Sequence, residues 1–142
     1  MDAFDADVLI YAAVPGHALG RRVRGLFPQE PIDEAGVVAG IGSVLLLPEL
    51  LSKPTREQAD EQLAQLGALL SRLDLRPVDE ATADVAVALG ASYKLKAADA
   101  VHLATAVIAG ADRFVTNNQR HFLPTITEVE VMYPGNLPED ES

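Results

Sequence analysis

The chain has no cysteine, and its 142 residues include 11 lysines and arginines against 21 aspartates and glutamates. Without cysteine it can form neither disulfide bonds nor thiolate metal sites, which fits a reducing cytoplasm. The net charge of −10 argues against a large nonspecific nucleic-acid surface, because proteins that depend on phosphate contacts are usually basic. A small acidic site that reaches a phosphate through a bound metal ion stays possible.

Several sequence signals of membrane and enzyme classes are also missing. No apolar run approaches the roughly 20 residues that a membrane span needs, so no membrane partner is expected. The first residues carry Asp2, Asp5 and Asp7 where a secretory signal would be basic, so no such signal is expected. There is no glycine-rich phosphate loop, no H-E-x-x-H helix, and no evident Ser-His-Asp or Cys-His arrangement.

What is present indicates one globular domain. Hydrophobic residues make up 49% of the chain and charged residues 23%, and 142 residues are enough to bury a core. We predict a single domain over residues 1–134. The acidic stretch 135–142 is predicted to be a disordered C-terminal tail.

Helical and strand-like patterns alternate along the chain. The patterns predict strands within 3–11, 36–41, 75–78, 113–116 and 130–132, and helices over 17–27, 44–52, 55–73, 80–94 and 98–109. This alternation favours an α/β fold with a parallel sheet covered on both faces. Ser43 and Thr55 are the predicted caps of two helices, and Pro48 is predicted to kink the first of them.

Four oxygen-bearing side chains stand at the ends of apolar runs: Asp5, Glu49, Asp99 and Asn118. Strands and buried helices should bring them to one edge of the sheet, beyond the carboxyl ends of the strands, where ligands bind in such folds. Oxygen ligands gathered in this way suit a hard divalent cation. One or two Mg²⁺ or Mn²⁺ ions held by carboxylates could activate water and stabilise the leaving oxygen of a phosphodiester.

Each acidic position also has a plain structural explanation. Asp5 or Asp7 could cap a helix, and both would point the same way if the segment stayed extended. We favour Asp7 as the cap or as a supporting group, with Asp5 facing the site. Glu49 could lie on an exposed helix edge, although its apolar neighbours make an unpaired charge costly. Asp99 could simply complement the dipole of its helix.

The histidines and arginines are weaker candidates. His102 shares a helix face with Asp99, and we favour a buried core histidine over a metal ligand. His17 and His121 have no partner that the sequence reveals, and both are predicted to be surface residues. The arginines within 21–24 are predicted to form a solvated helix face.

Four segments give the chain its resemblance to a known family. They are DADVLIY at 5–11, PELL at 48–51, ADAVHLATA at 98–106 and TNNQRHF at 116–122. From about residue 3 to residue 132 the chain resembles the PIN-domain ribonucleases, which include the VapC-type toxins of toxin–antitoxin pairs. The segment at 98–106 is the most specific part of this resemblance.

The resemblance places the catalytic positions of the family at Asp5, Glu49, Asp99 and Asn118. It implies a three-layer α/β/α sandwich, Mg²⁺ or Mn²⁺ held by Asp5, Glu49 and Asp99, endonucleolytic cleavage of RNA in the cytoplasm, a cognate antitoxin and a homodimer. Asn118 departs from the family pattern, which usually has aspartate there. We expect one metal ion to bind well through Asp5 and Asp99, and a second to bind weakly or only with RNA.

Two other functions stay open at this point. The uncharged Asn118 and the charge of −10 are compatible with a non-catalytic PIN-like module that binds a partner through a degenerate metal site. The same acidic site could also serve a phosphohydrolase that acts on a small substrate.

Overall fold

Five parallel strands form the centre of the computed structural model, which describes residues 1–27 and 38–139. They are β1 (Asp2–Phe4), β2 (Gly40–Ser43), β3 (Leu73–Arg76), β4 (Arg113–Val115) and β5 (Glu130–Met132), in the order β3-β2-β1-β4-β5. All four neighbouring pairs of these strands run parallel. The predicted α/β class with a mostly parallel sheet is confirmed.

Helices cover both faces of the sheet. They are α1 (Ala6–Ala13), α2 (Ala18–Arg24), α3 (Leu46–Arg56), α4 (Asp60–Leu70), α5 (Glu80–Tyr93) and α6 (Ala97–Ile108), with a short 3₁₀ turn at Pro134–Asn136. Phe4 and Val115 face a core built with α1 to α4, whereas Ala3 and Phe114 face a second core built with α5 and α6. This is the expected three-layer α/β/α sandwich. Among the described helices, none is both long and apolar enough to cross a membrane.

The strand order fixes where a ligand site can form. From β1 the chain proceeds to β2 and β3 on one side, and β4 and β5 lie on the other side. In open parallel sheets, ligands bind beyond the carboxyl ends of the strands at such a reversal of order. In this chain that position is the crevice beyond Phe4 and Val115, which are paired in register.

The first segment is mostly helix, where the sequence predicted strand over 3–11. Only residues 2–4 form the strand, and Asp5, still extended (φ −81°, ψ 164°), caps α1. Val8 and Leu9 are buried on α1 and pack in the core. A short apolar run of this kind fits a buried helix as well as a strand, so its periodicity alone could not decide.

The helix predicted over 55–73 is two elements instead. The chain turns after α3 with Gln58 in the left-handed region (φ 54°), and Ala59 donates its backbone N–H to Pro54 O at 2.9 Å. Thr55 therefore lies within α3 and caps nothing. The expected kink at Pro48 is also wrong, because Pro48 is the third residue of α3, where a backbone N–H has no partner within the helix.

Smaller shifts affect two other boundaries. Ser43 does not cap its helix directly: its Oγ accepts from the backbone N–H of Leu45, and α3 begins one residue later. The third strand lies at 73–76, two residues before its predicted place, because Leu73 is buried in the sheet. Of the strand predicted over 36–41, residues 36 and 37 lie outside the described residues.

The domain continues past residue 134, where the sequence placed its end. Leu137 is 2% exposed and packs in the core. Arg22 donates from Nη1 to the carbonyl oxygens of Gly135 (3.1 Å) and Leu137 (2.7 Å). Residues 135–137 therefore belong to the domain, and positions 140–142 of the predicted tail lie outside the described residues.

Candidate metal centre

A cavity of about 630 Å³ lies at the carboxyl edge of β1 and β4. All four positions singled out in the sequence line it, and so do five neighbours: Asp5, Ala6, Asp7, Ile10, Tyr11, Glu49, Asp99, Asn117 and Asn118. They come from α1, α3, α6 and the turn after β4. The fold therefore gathers side chains that are more than 100 residues apart in the sequence.

Asp5 is the most enclosed of the acids, at 5% exposure. Its Oδ1 accepts from the backbone N–H of Ala6 and its Oδ2 from Thr116 Oγ1, both at 2.8 Å. Burial raises the pKa of Asp5, although the nearby ring of His102 and these hydrogen bonds oppose the rise. Asp5 is thus both the cap of α1 and a cavity residue, which corrects the preference for Asp7 as the cap.

Asp7 connects α1 to the turn after β4. Its Oδ2 accepts from the backbone N–H of Asn117 at 3.0 Å, and its buried Oδ1 has no hydrogen-bond partner among the described residues. Burial and the nearby charges of Asp5 and Asp99 raise the pKa of Asp7 to about 7. A buried carboxylate oxygen without a donor is costly, so this site would gain from a cation.

Glu49 lies in the first turn of α3 and has a definite partner. Its Oε2 is 3.0 Å from His102 Nε2 on α6. The Glu49 side chain is 33% exposed, whereas that of His102 is 1% exposed. Glu49 is therefore not simply an exposed residue on the edge of a helix. His102 is a buried histidine, as the sequence predicted, but its pairing across 53 residues was not predicted.

Asp99 lies in the first turn of α6 and is half-buried. Burial is the main cause that raises its pKa, and the negative charge of Asp5 adds to the rise. His121, His102 and Lys96 act in the opposite direction. Asp5 and Asp99 are therefore close enough to repel each other, as two ligands of one cation would be before the cation binds.

Asn118 is held by the turn that follows β4. Its backbone N–H donates to Thr116 Oγ1, and its side-chain Nδ2 is 3.1 Å from His121 Nδ1. With the amide in this orientation, Nδ2 donates and the ring nitrogen accepts. The side-chain carbonyl oxygen stays available as a neutral oxygen ligand.

His17 and the arginines of α2 have hydrogen-bond partners that the sequence did not reveal. His17 caps α2 through Nδ1, which accepts from Gly20 N–H at 3.1 Å, and its ring stacks on Tyr11 at 4.5 Å. Arg24 donates to the carbonyl oxygen of Ala12 at 2.8 Å. His17 and His121 are thus half-buried and bonded, and the predicted solvated arginine face is partly a set of backbone contacts.

The donors around the cavity suit Mg²⁺ or Mn²⁺ in chemistry. They are carboxylate and amide oxygens, which are the ligands that these cations prefer. The carboxylates repel one another, and Asp7 Oδ1 is buried without a hydrogen-bond partner among the described residues. Within residues 1–27 and 38–139, however, no group of three or more histidine, aspartate or glutamate side chains is placed so that it could hold a metal ion as it stands. Asp5, Glu49 and Asp99 would have to turn toward a shared point to hold one.

Comparison with known proteins gives one family and one fold. The family model of the PIN domain matches residues 3–132. Similar solved structures include a toxin-antitoxin complex from Klebsiella pneumoniae, with 23% identity, a TM-score of 0.72 and coverage of 94% of this chain and 98% of that chain. VapBC2 from Rickettsia felis, bound to a DNA fragment from its promoter, is 16% identical with a TM-score of 0.64 and coverage of 93% and 97%. FitAB bound to the IR36 DNA fragment is 20% identical with a TM-score of 0.65 and coverage of 98% and 99%. No curated protein sequence matches the chain.

Proposed function

Because this chain belongs to the PIN domain family, we propose that it is a metal-dependent endoribonuclease and the toxin of a type II toxin–antitoxin pair. One observation carries the proposal: Asp5, Asp7, Glu49 and Asp99 border one cavity at the carboxyl edge of the sheet. In the described part of the chain, the single basic side chain within ion-pair distance of any of them is the ring of His102, beside Glu49. Uncompensated carboxylates in that place favour a divalent cation.

The proposed roles follow from the contacts of each residue. Asp5, Glu49 and Asp99 hold Mg²⁺ or Mn²⁺, and Asn118 offers its carbonyl oxygen to the cation or to the substrate. A bound cation of this kind activates water and neutralises the charge that develops on the leaving oxygen. Thr116 fixes the Asp5 carboxylate through its hydroxyl, and this hydroxyl also receives the backbone N–H of Asn118.

The proposed partners are an RNA substrate and an antitoxin protein in the cytoplasm, with a second copy of the chain forming a homodimer. The support for an antitoxin is the fold similarity to a protein solved as a toxin-antitoxin complex. Ile10 lies on the cavity rim at 42% exposure, and Val14, which directly follows α1, is 45% exposed. A partner that covered the cavity would also bury these apolar side chains.

A non-catalytic binding module is the second candidate. It is favoured by the neutral amide of Asn118 and by the lack, among the described residues, of three ligating side chains already placed around one point. Such a module would bind its partner without cutting RNA, and its carboxylates would not need to close on a cation.

RNA cleavage by purified protein separates these candidates. We expect single-stranded RNA to be cut internally with Mn²⁺ or Mg²⁺, and no cleavage with EDTA or with Asp5→Asn. Asp2→Asn, which alters a carboxylate at the opposite end of β1, is the matched control and should cut like the unchanged protein. If the Asp5→Asn variant cuts RNA as fast as the unchanged protein, the assignment of Asp5 to the active site is wrong. Hydrolysis of nucleotides without cleavage of RNA would indicate a small-substrate phosphohydrolase.

A further inference from the structure

His102 is a buried polar residue whose place in the core needs an explanation. It is 2% exposed on α6, and its Nε2 lies 3.0 Å from Oε2 of Glu49 on α3. Its other ring nitrogen, Nδ1, is buried and has no hydrogen-bond partner among the described residues. An unpaired buried nitrogen destabilises the fold, and a leucine in this position would avoid that cost.

The contact with Glu49 defines which nitrogen carries the proton. An ionised carboxylate only accepts hydrogen bonds, so Nε2 must be the donor. We propose that His102 is a positioning residue: it donates Nε2–H to Glu49 and holds that carboxylate toward the cavity for the cation. This inference rests on the proposed metal-dependent function.

The surroundings of His102 support a positioning role over coordination. It lies one turn after Asp99 on the same face of α6, behind the cavity, and its ring is not part of the lining. His102 is also among the groups that act electrostatically on the pKa of both Asp5 and Asp99, so the ring is close to these two carboxylates as well. Its Nε2 is already engaged by Glu49, which leaves no accessible nitrogen for a metal ion.

The matched pair His102→Gln and His102→Asn tests this role. The amide nitrogen of glutamine reaches the place of Nε2, whereas that of asparagine falls near Nδ1 and cannot reach Glu49. Loss of a residue that supports a metal ligand typically weakens metal binding 10- to 100-fold, so we expect a loss of roughly that size in the Mn²⁺ affinity of His102→Asn by calorimetry. His102→Gln should bind Mn²⁺ close to the unchanged level.

A second background shows whether the effect passes through Glu49. In Glu49→Gln, where the carboxylate is already absent, we expect His102→Asn to cause no further loss of Mn²⁺ affinity. Equal Mn²⁺ affinity for the unchanged protein and His102→Asn would overturn the inference. So would an equal loss with His102→Gln, or a loss of the same size in the Glu49→Gln background.

An imidazole ¹⁵N spectrum of metal-free protein tests the contact itself, even where a His102 variant fails to fold. We expect the proton on Nε2 and none on Nδ1, and Glu49→Gln should move the Nε2 signal most. A proton on Nδ1 and none on Nε2 would overturn the inference, whatever the Mn²⁺ affinities are.

If the unchanged protein binds no Mn²⁺, the proposed function fails and the metal-orienting role fails with it. If it binds Mn²⁺ and His102→Asn binds it equally well, only the role of His102 fails.

Discussion

Strand β1 has an aspartate at each end, and the two have opposite surroundings. At the amino end, Asp2 receives two hydrogen bonds from Arg113, from Nε at 2.9 Å and from Nη2 at 3.0 Å. At the carboxyl end, Asp5 faces the same neighbouring strand, but its partner there is the neutral hydroxyl of Thr116. Among the described residues, a guanidinium neutralises the first carboxylate, and no cationic side chain hydrogen-bonds to the second.

The two edges of the sheet differ in the same way beyond these two residues. At the amino edge, the N-terminal amine pairs with Asp112. At the carboxyl edge, Asp7 and Asp99 add negative charge beside Asp5, and burial and mutual repulsion raise their pKa values. The acids at the amino edge therefore pair with groups of the protein itself, whereas those at the carboxyl edge are the ones that we propose bind a cation.

The largest expected effect is on catalysis at the carboxyl edge. Asp99→Asn removes one charge from the proposed metal site. We expect a loss of about 4 kcal/mol of transition-state stabilisation, which corresponds to a loss of about 10³-fold in the rate of RNA cleavage. The control Asp112→Asn changes an acid at the amino edge and should keep the full rate. Similar cleavage rates for the two variants in a single-turnover assay would mean that the acids at the two edges of the sheet do not differ in their importance for catalysis.

The next largest effect is on stability at the amino edge. Arg113→Leu leaves Asp2 without its paired donors, and we expect the free energy of unfolding in urea to fall by about 1.5–3 kcal/mol. Leucine at the exposed Arg120, which lies in the turn near the cavity, is the control and should change stability much less. Equal losses for the two variants would mean that the Asp2–Arg113 pair does not stabilise the fold.

A smaller effect is the pH dependence that Asp7 confers. Its pKa is about 7 in the folded protein against an ordinary value of 3.8, so the folded state holds the proton more tightly. The stability from this proton is complete below the ordinary value and is lost as the pH rises through about 7. Metal-free protein should therefore lose stability between pH 5 and pH 8. Asp7→Asn should lose less, by roughly 1.4 kcal/mol for each pH unit between pH 5 and the folded pKa of Asp7. Parallel urea-unfolding curves for the two proteins over this range would contradict the raised pKa.

The smallest effect concerns the neutral side chain at position 118. Asn118→Asp adds one negative charge to the cavity, and an added interaction of about 1 kcal/mol should tighten Mn²⁺ binding about fivefold and raise cleavage. Asn136→Asp adds the same charge on the exposed 3₁₀ turn and should leave both unchanged. If Asn118→Asp binds Mn²⁺ no better than Asn136→Asp, the missing charge does not limit the site.

The order of the elements could be read from the sequence, because alternating patterns and breaking residues are local signals. Conformations that depend on packing could not. The apolar residues after Asp5 have strand-like propensities, yet they are helical because Val8 and Leu9 pack into the core. Likewise, the regular leucines of 55–73 did not reveal the turn at Gln58, since the break depends on the backbone there.

The sequence was enough to predict which residues line the cavity, but it predicted their contacts less well. Asp5, Glu49, Asp99 and Asn118 all line the cavity, because buried strands and helices deliver the residues at their ends to one edge. The partner of Glu49 is His102, 53 residues away, and no local pattern encodes that distance. The residue that caps α1 was misassigned for a related reason, since Asp5 and Asp7 are equally good caps in the sequence.

Thermal unfolding with and without Mn²⁺ tests most directly whether the carboxyl edge is a cation site. Because a ligand of the folded state raises stability by mass action, millimolar Mn²⁺ should raise the Tm of the unchanged protein and of Asp2→Asn by several degrees. Asp5→Asn should show almost no rise, although asparagine can still cap α1. No rise in the unchanged protein, or an equal rise in Asp5→Asn, would contradict the account.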